Sequence, residues 1–443
     1  MPQIQNAAPS QEFPKEPTHP NLPWKVYTHY WSHFDEHASL AMLLKYGPRI
    51  HGLEGIGNHE IHFVDAGSAI PQRLAKRDWL WERIAAIGVF GDWGPFDEHP
   101  GPAQRQRGQP RKRKQSAASL TLQFLKKRIP GFDDPRAEAL AAYATRIDTE
   151  GGATRDSLAN IVKSMNWLGN EKKTIEWVLK GIRAYMETGD PKEDAKENAF
   201  DIETIGALIP EEERMDWLLQ GHAARQWEYK IYKEAVTAIK KGPKELFDTR
   251  FAYDKYGAKR KIVATESGNP LMTRAIFSIL RADVAIVKNE KTGHVAILTG
   301  TQAYIDLTGL VRMLNRRELE LRHDNRHKHL PFVQLSPEGS LLGSVWASQL
   351  EFKHPMCLNG SPSSPSVDPT KIPLKRIAAA AEKALDETRF STEAEGYACD
   401  GTSCGPEAKK SCSFYRDGLP RCIKIRSEAR RASVRPRQGS PGG

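Results

Sequence analysis

The chain of 443 residues has no apolar run near the ~18 residues that a membrane-spanning helix needs, which argues against an integral membrane protein. Cysteine is scarce. Five in the whole chain are too few for a disulfide-stapled fold. Met1 to Pro23 lacks the apolar core of a secretory signal, and its polar, proline-rich character predicts a disordered leader (1–23) on a cytoplasmic protein. No internal repeat is visible. What remains is ordinary for a globular protein: 39% hydrophobic and 27% charged residues, with length for about three domains or two large ones. Lys and Arg total 65 against 55 Asp and Glu, a net charge of +10 that suits a polyanionic partner such as nucleic acid, or serves general solubility.

Patterning predicts an α/β protein. A short β-like run closes at Tyr27 and Thr28. Asp35 to Leu44 then carries Ala38, Ala41 and Met42 at helical spacing. Glu60 to Ala66 reads as a strand ending in an acid, Arg73 to Ala86 as a helix, and Ile87 to Phe90 as a further strand. Strands alternating with helices predict a mostly parallel sheet, and ligands of such sheets bind at the carboxyl ends of the strands. Helical patterns dominate Leu120 to Lys240, over Pro135–Ile147, Asp156–Asn166, Lys172–Met186 and Glu211–Ile239. A second mixed region has strands at Lys261–Ala264, Asp283–Lys288 and His294–Thr299, with helices at Leu271–Arg281 and Thr308–Leu321. After Asn359 come a Ser/Pro linker, an amphipathic helix at Ile372–Leu385, a cysteine-bearing segment and a basic tail that reads as disordered.

The residues that carry chemistry cluster after these elements. His29, His33 and Asp35, at i, i+4 and i+6, lie in the turn between a strand and a helix. Asp65 ends the next strand, Asp97, Glu98 and His99 follow another, and Asp148 closes a helix. Imidazoles and carboxylates gathered this way suit a pair of divalent metal ions. Two metals about 3.5–4 Å apart activate a water and stabilise the leaving oxygen in phosphoester hydrolysis. Trp79, Trp81 and Trp93 fit a core better than a base-stacking role.

This order of motifs resembles the DHH phosphoesterase superfamily, and within it the branch of the melanocyte-proliferating-gene exonuclease, once called metal-dependent protein hydrolases. The first motif reads His29, His33, Asp35, followed by Glu36; the second is Asp65 in FVDAG; the fourth is Asp148 in RIDTEGG. The third is Asp97-Glu98-His99, with Glu98 where the family has its first His, so either Glu98 substitutes as a ligand or His99 alone serves. That departure leaves a degenerate, non-catalytic nucleic-acid-binding protein as one reading. SLANIVKSMN at Ser157 to Asn166 is similar to a further stretch of the branch, and the resemblance covers about residues 24–170.

The resemblance implies a dinuclear site, two Mn²⁺ or Mg²⁺, held by His29, His33, Asp35, Asp65, His99 and Asp148, with Asp97 orienting the neighbouring histidine. It further implies a DHH-like catalytic domain over 24–170, a helical connector over 171–246 and a second α/β domain over 247–360 that binds substrate. In that domain Arg274, His294 and Arg312 are the candidates for holding a substrate phosphate, or the arginines are ordinary surface residues. Residues 361–443 form the linker, helix, Cys cluster and tail. The expected activity is metal-dependent phosphodiester hydrolysis, as an exonuclease on RNA or single-stranded DNA. The alternative is a small-substrate enzyme acting on oligonucleotides, cyclic dinucleotides or pyrophosphate.

Two further features stand outside that scheme. Arg105 to Lys114 (RQRGQPRKRK) is wholly basic where charged and either guides a phosphate backbone or is a solvated loop. Cys399, Cys404, Cys412 and Cys422 have spacings of five, eight and ten rather than CxxC pairs, so they read as a structural Zn²⁺ cluster or as free thiols. Nucleic acid or a nucleotide phosphate is the expected partner, and no membrane association is expected.

Overall fold

In the computed structural model the described residues are 22–65, 79–80, 82–89, 95–97, 115–191, 199–254, 256–300, 305–322, 346–349, 356–362 and 365–388. They fall into two compact units, the first running to Arg225 and the second from Gln226.

The first unit is built on a small parallel sheet. β1 (Trp24–His29) lies at its centre between β2 (His59–Val64) and β3 (Ile84–Ala86), in the order β2-β1-β3. Along β1 the buried Trp24, Val26 and Thr28 alternate with more accessible Lys25 and Tyr27, the two-residue period of a pleated strand. Register pairs His29 with Val64 and Tyr27 with Ala86, so the three strands end on one edge. Between β1 and β2 runs α1 (Phe34–Tyr46), which is buried on nearly every side. Its Ala38 and Ala41 let neighbouring backbones approach closely. The neighbours are α2 (Ala117–Arg128), α3 (Pro135–Glu150) and α5 (Glu171–Thr188).

Local sequence explains the helix boundaries. Asp134 caps α3 by accepting from the N–H groups of Arg136 and Ala137, while Pro135 sits at the first helical position, where its missing N–H costs nothing. α4 (Leu158–Asn166) is capped by Ser157. α6 (Ile202–Gly206) and the 31-residue α7 (Glu211–Lys241) follow. The core gathers Phe34, Met42, Leu43, Leu125, Leu140 and Phe200, each such side chain contributing roughly 1.5–3 kcal/mol on burial. Trp177 of α5 and Trp217 of α7 stack at 4.5 Å and 5°, and each indole N–H donates to the other's carbonyl at 2.9 Å.

The expected helix over Arg73–Ala86 needs correction at its end. Ile84–Ala86 is β3, so the strand expected at Ile87–Phe90 starts three residues earlier and Ile87 continues only as an isolated bridge to Phe96. Residues 66–78, 81 and 90–94, with Trp81 and Trp93, lie outside the described residues. Trp79 packs edge-on against Trp24, Phe96 and Phe124, the core role its spacing suggests.

The second unit holds a six-stranded sheet in the order β4-β5-β6-β7-β9-β8: β4 (Asp248–Tyr253), β5 (Lys259–Glu266), β6 (Val284–Lys288), β7 (Val295–Thr299), β8 (Ala347–Gln349) and β9 (Met356–Asn359). Only β5 and β6 pair in parallel, so the sheet is mixed. One face, with Ile262, Ala264, Val284, Ile286 and Ile297, shares its core with α9 (Thr308–Leu321) and α10 (Leu374–Leu385). The other, with Val263 and Ala285, shares its core with Tyr232, Ala235, Val236 and Ile239 of α7, α8 (Met272–Ala275) and the π-helical turn Ile276–Leu280. Glu318 of α9, almost fully buried, accepts from Thr370 Oγ1 at 2.6 Å, from the Lys371 N–H at 2.9 Å and from Arg322 at 2.9 Å, tying the segment before α10 to α9. No helix among the described residues is long and apolar enough to cross a membrane.

Candidate functional site

The site is built where the parallel strands end, with Asp148 added from a helix. His29 is the last residue of β1, and Asp65 follows β2 one step beyond the His29–Val64 pair, buried at the same edge. Asp97 follows Phe96, which bridges Ile87 just past β3. The turn out of β1 is unusual. Trp31 adopts φ 60°, a left-handed conformation costly for a bulky residue, and its ring meets Trp167 edge-on at 4.2 Å. The next carbonyl, of Ser32, accepts from Asn166 Nδ2 at 3.2 Å in a buried contact. The end of α4 thus fixes the loop that presents His33.

His33 is the N-cap of α1, and Glu36 at the third helical position reaches back to accept from the His33 N–H at 2.6 Å. The other oxygen of Glu36 lies 3.0 Å from His29 Nε2. His29 Nδ1 donates to the Tyr30 carbonyl at 2.8 Å, since a carbonyl only accepts. With Nδ1 committed as a donor, the Nε2 lone pair of a neutral ring would face a carboxylate. A cation must sit there, either a proton or a metal ion. Burial alone would raise the Glu36 carboxyl, but the charge and hydrogen bond of His29, with the charge of His33, outweigh it and hold Glu36 well below the usual carboxylate range. The group facing Nε2 is therefore an anion.

Two sets of donor atoms lie within 4.8 Å of one another: His29, His33 and Glu36, and His33, Asp35 and Asp148. His33, exposed, is common to both. Asp35, buried, accepts from the Ala117 N–H at 3.2 Å, which anchors its carboxylate at the first residue of α2. Asp148 comes from the last turn of α3. Two imidazoles and three carboxylates form a donor set that fits one or two divalent cations of the Mn²⁺, Mg²⁺ or Zn²⁺ kind. These sets could hold a metal ion through any of these ligands.

The structure therefore brings together His29, His33, Asp35 and Asp148 of the expected ligands. Asp65 stands at the same edge but outside both sets, and Glu98 and His99 lie outside the described residues. Glu36 is the donor that sequence reasoning did not assign. Its signal was an acid at the third position of a helix whose cap is a histidine. Gly88, also unassigned, has φ +64°, and a Cβ on it would lie 2.6 Å from Glu36 Oε1. His37, next along α1, is fully buried with Nε2 3.4 Å from Ser32 Oγ, and burial lowers it to about 4.

In the second unit Arg274 and His294, two of the expected phosphate ligands, have protein partners. Arg274 donates to Glu228 at 2.8 Å and lies over the Tyr232 ring, and His294 Nε2 donates to the Val367 carbonyl at 2.7 Å. Arg312 is in α9. Cys357 is buried in β9, whereas Cys399, Cys404, Cys412 and Cys422, and the basic run Arg105–Lys114, lie outside the described residues.

No protein-family model matches the chain, and no curated protein matches it. Among solved structures it is similar to PggH, a pGpG-specific phosphodiesterase from Vibrio cholerae, with 14% identity and a TM-score of 0.31 over 66% of this chain and 89% of that chain. At that level the likeness transfers no residue role.

Proposed function

We propose that the chain is a metal-dependent phosphoester hydrolase of the DHH type, acting on a short nucleotide phosphodiester. The observation that supports this reading is the pair of donor sets sharing His33 at the carboxyl edge of a parallel sheet. When bound, the metal supplies an activated water and neutralises charge on the phosphoryl oxygens. His29, His33, Glu36, Asp35 and Asp148 would hold it. Asp65, at the same edge, and His99 complete the set that the motif resemblance implies, with Asp97 orienting His99.

The chain's own residues prepare that chemistry. Nδ1–H to Tyr30 fixes the His29 tautomer, the Ala117 N–H fixes Asp35, and the helix start fixes Glu36, so the donors need little reorganisation. A short nucleotide is one of the two substrate classes that the motif resemblance leaves open, the other being RNA or single-stranded DNA.

The test is hydrolysis of 5′- and 3′-labelled RNA, single-stranded DNA, the linear dinucleotide pGpG and a cyclic dinucleotide, with Mn²⁺, with Mg²⁺ and with chelator, beside the Asp35→Asn protein. Metal-dependent cleavage of the dinucleotide, lost in the variant, is expected. Processive ladders from the long strands with the dinucleotide untouched would replace the short-substrate reading by an exonuclease. Absence of bound metal would overturn the hydrolase reading itself.

A further inference from the structure

Strands β4 and β5 divide their side chains by chemistry. On the even-numbered face, Arg250 pairs with Asp248 and Glu382, and Arg260 pairs with Glu387. Those arginines are committed to carboxylates. The odd-numbered face carries Thr249, Phe251 and Tyr253 on β4, opposite Val263, Lys261 and Lys259 on β5, and no acidic side chain from either strand. Val263 belongs to the core that includes α7 and the π-helical turn, but Phe251 is 36% and Tyr253 38% exposed. Two large aromatic rings are thus partly exposed on the edge strand of the sheet. They are two residues apart, about 6.6–6.8 Å along the strand.

The cations are placed against them. Lys259 Nζ lies 3.6 Å from the centroid of the Phe251 ring, and Lys261, directly opposite Phe251, donates to the Leu280 carbonyl at 2.8 Å. An exposed aliphatic patch would indicate a protein partner. This strip has rings and ammonium groups instead, the pairing that single-stranded nucleic acids use. Bases stack on aromatic faces and the backbone phosphates take the lysines.

We propose that Phe251, Tyr253 and Lys259 form a stacking site for a short single-stranded oligonucleotide, one base on each ring and a phosphate at Lys259. The site goes beyond the hydrolase reading and does not depend on it, because stacking needs no metal.

The test is fluorescence anisotropy of the full chain with labelled six-nucleotide uridine and thymidine strands in chelator, where no hydrolysis competes. Stacking is worth ~1–3 kcal/mol per base, so Phe251→Ala with Tyr253→Ala should weaken binding by about tenfold or more, with the salt slope kept. Lys259→Ala should instead reduce the salt slope by about one. Phe251→Trp and Tyr253→Phe retain a ring and should bind like the parent. The inference fails if the parent protein does not bind either strand, or if the double alanine variant binds as tightly as the parent. It fails equally if Asp35→Asn abolishes binding, since the strand would then lie at the metal donors. Mn²⁺ affinity of the double variant, measured alongside, should be unchanged, which separates this outcome from failure of the hydrolase reading.

Discussion

Asn166, the last residue of α4, holds the carbonyl of Ser32, 134 residues earlier in the chain, through a buried 3.2 Å hydrogen bond. With the Trp31–Trp167 contact beside it, this bond sets where His33 stands relative to Asp35 and Asp148. Asn166→Ala leaves the Ser32 carbonyl without that donor, at a cost of about 1–3 kcal/mol. The larger effect falls on geometry. A displacement near 1 Å costs on the order of a hundredfold in rate, so kcat should drop tenfold or more with a smaller change in KM. Equal Mn²⁺ affinity and kcat in parent and variant would show that the loop holds its place without Asn166.

Glu36→Gln separates helix capping from ion binding. The glutamine oxygen can still accept from the His33 N–H, so α1 should start as before and the protein should stay folded. The anion facing His29 Nε2 is lost, and metal affinity should fall roughly 10–100-fold, as for groups that orient or neutralise a metal ligand. Isothermal titration with Mn²⁺ reads this directly, and an unchanged dissociation constant would remove Glu36 from the donor set.

Gly88 tests the same carboxylate from the other side. An alanine there must adopt φ +64° and place its Cβ 2.6 Å from Glu36 Oε1. Strain of about 1–3 kcal/mol is expected from the backbone alone. Gly88→Ala should lower both the urea midpoint and the affinity for Mn²⁺. A variant as stable as the parent, with intact metal binding, would contradict the close approach.

His37 gives a pH dependence. Its folded value, lowered to about 4 by burial, lies below the ordinary value near 6.5, so the unfolded chain takes up a proton first as pH falls. The stability contributed by keeping the ring neutral is present above about pH 6.5 and is lost progressively from there down to about pH 4. The slope is near 1.4 kcal/mol per unit, roughly 3 kcal/mol in all. Urea unfolding in chelator at pH 7.5 and pH 5 should show the loss. His37→Gln should remove it, and an equal pH slope in the variant would assign the acid sensitivity elsewhere.

The site was legible where spacing alone encodes convergence. His29, His33 and Asp35 are brought together by one tight turn, so their positions in the sequence fix their positions in space. Asp148 is reached in the sequence by the motif resemblance and not by spacing, and the packing of α3 on α1 delivers it. Glu36 was hidden because an acid early in a helix reads as a cap, which it also is. β3 reads in the sequence as the end of a helix, since a short apolar run such as Ile84–Ala86 fits either period. β4 escaped for the opposite reason. Its odd positions carry exposed aromatics, so the usual alternation of apolar-in and polar-out is absent. β8 and β9 are three and four residues long, shorter than any periodicity can report.

The parallel sheet of the first unit has two ends with different consequences for change. At the amino end, Trp24 is fully buried beneath the Arg83 guanidinium, so substitutions there act through stability and touch every substrate alike. At the carboxyl end, each of the three strands feeds a separate connecting segment, and the groups that would meet a ligand are distributed among them. Selectivity can therefore be retuned in the connections after β2 and β3 while the β1–α1 turn that carries His33 stays constant. Libraries randomised only in those connections should yield altered preferences among folded proteins, whereas the same diversity at the Trp24 end should yield mostly unfolded ones.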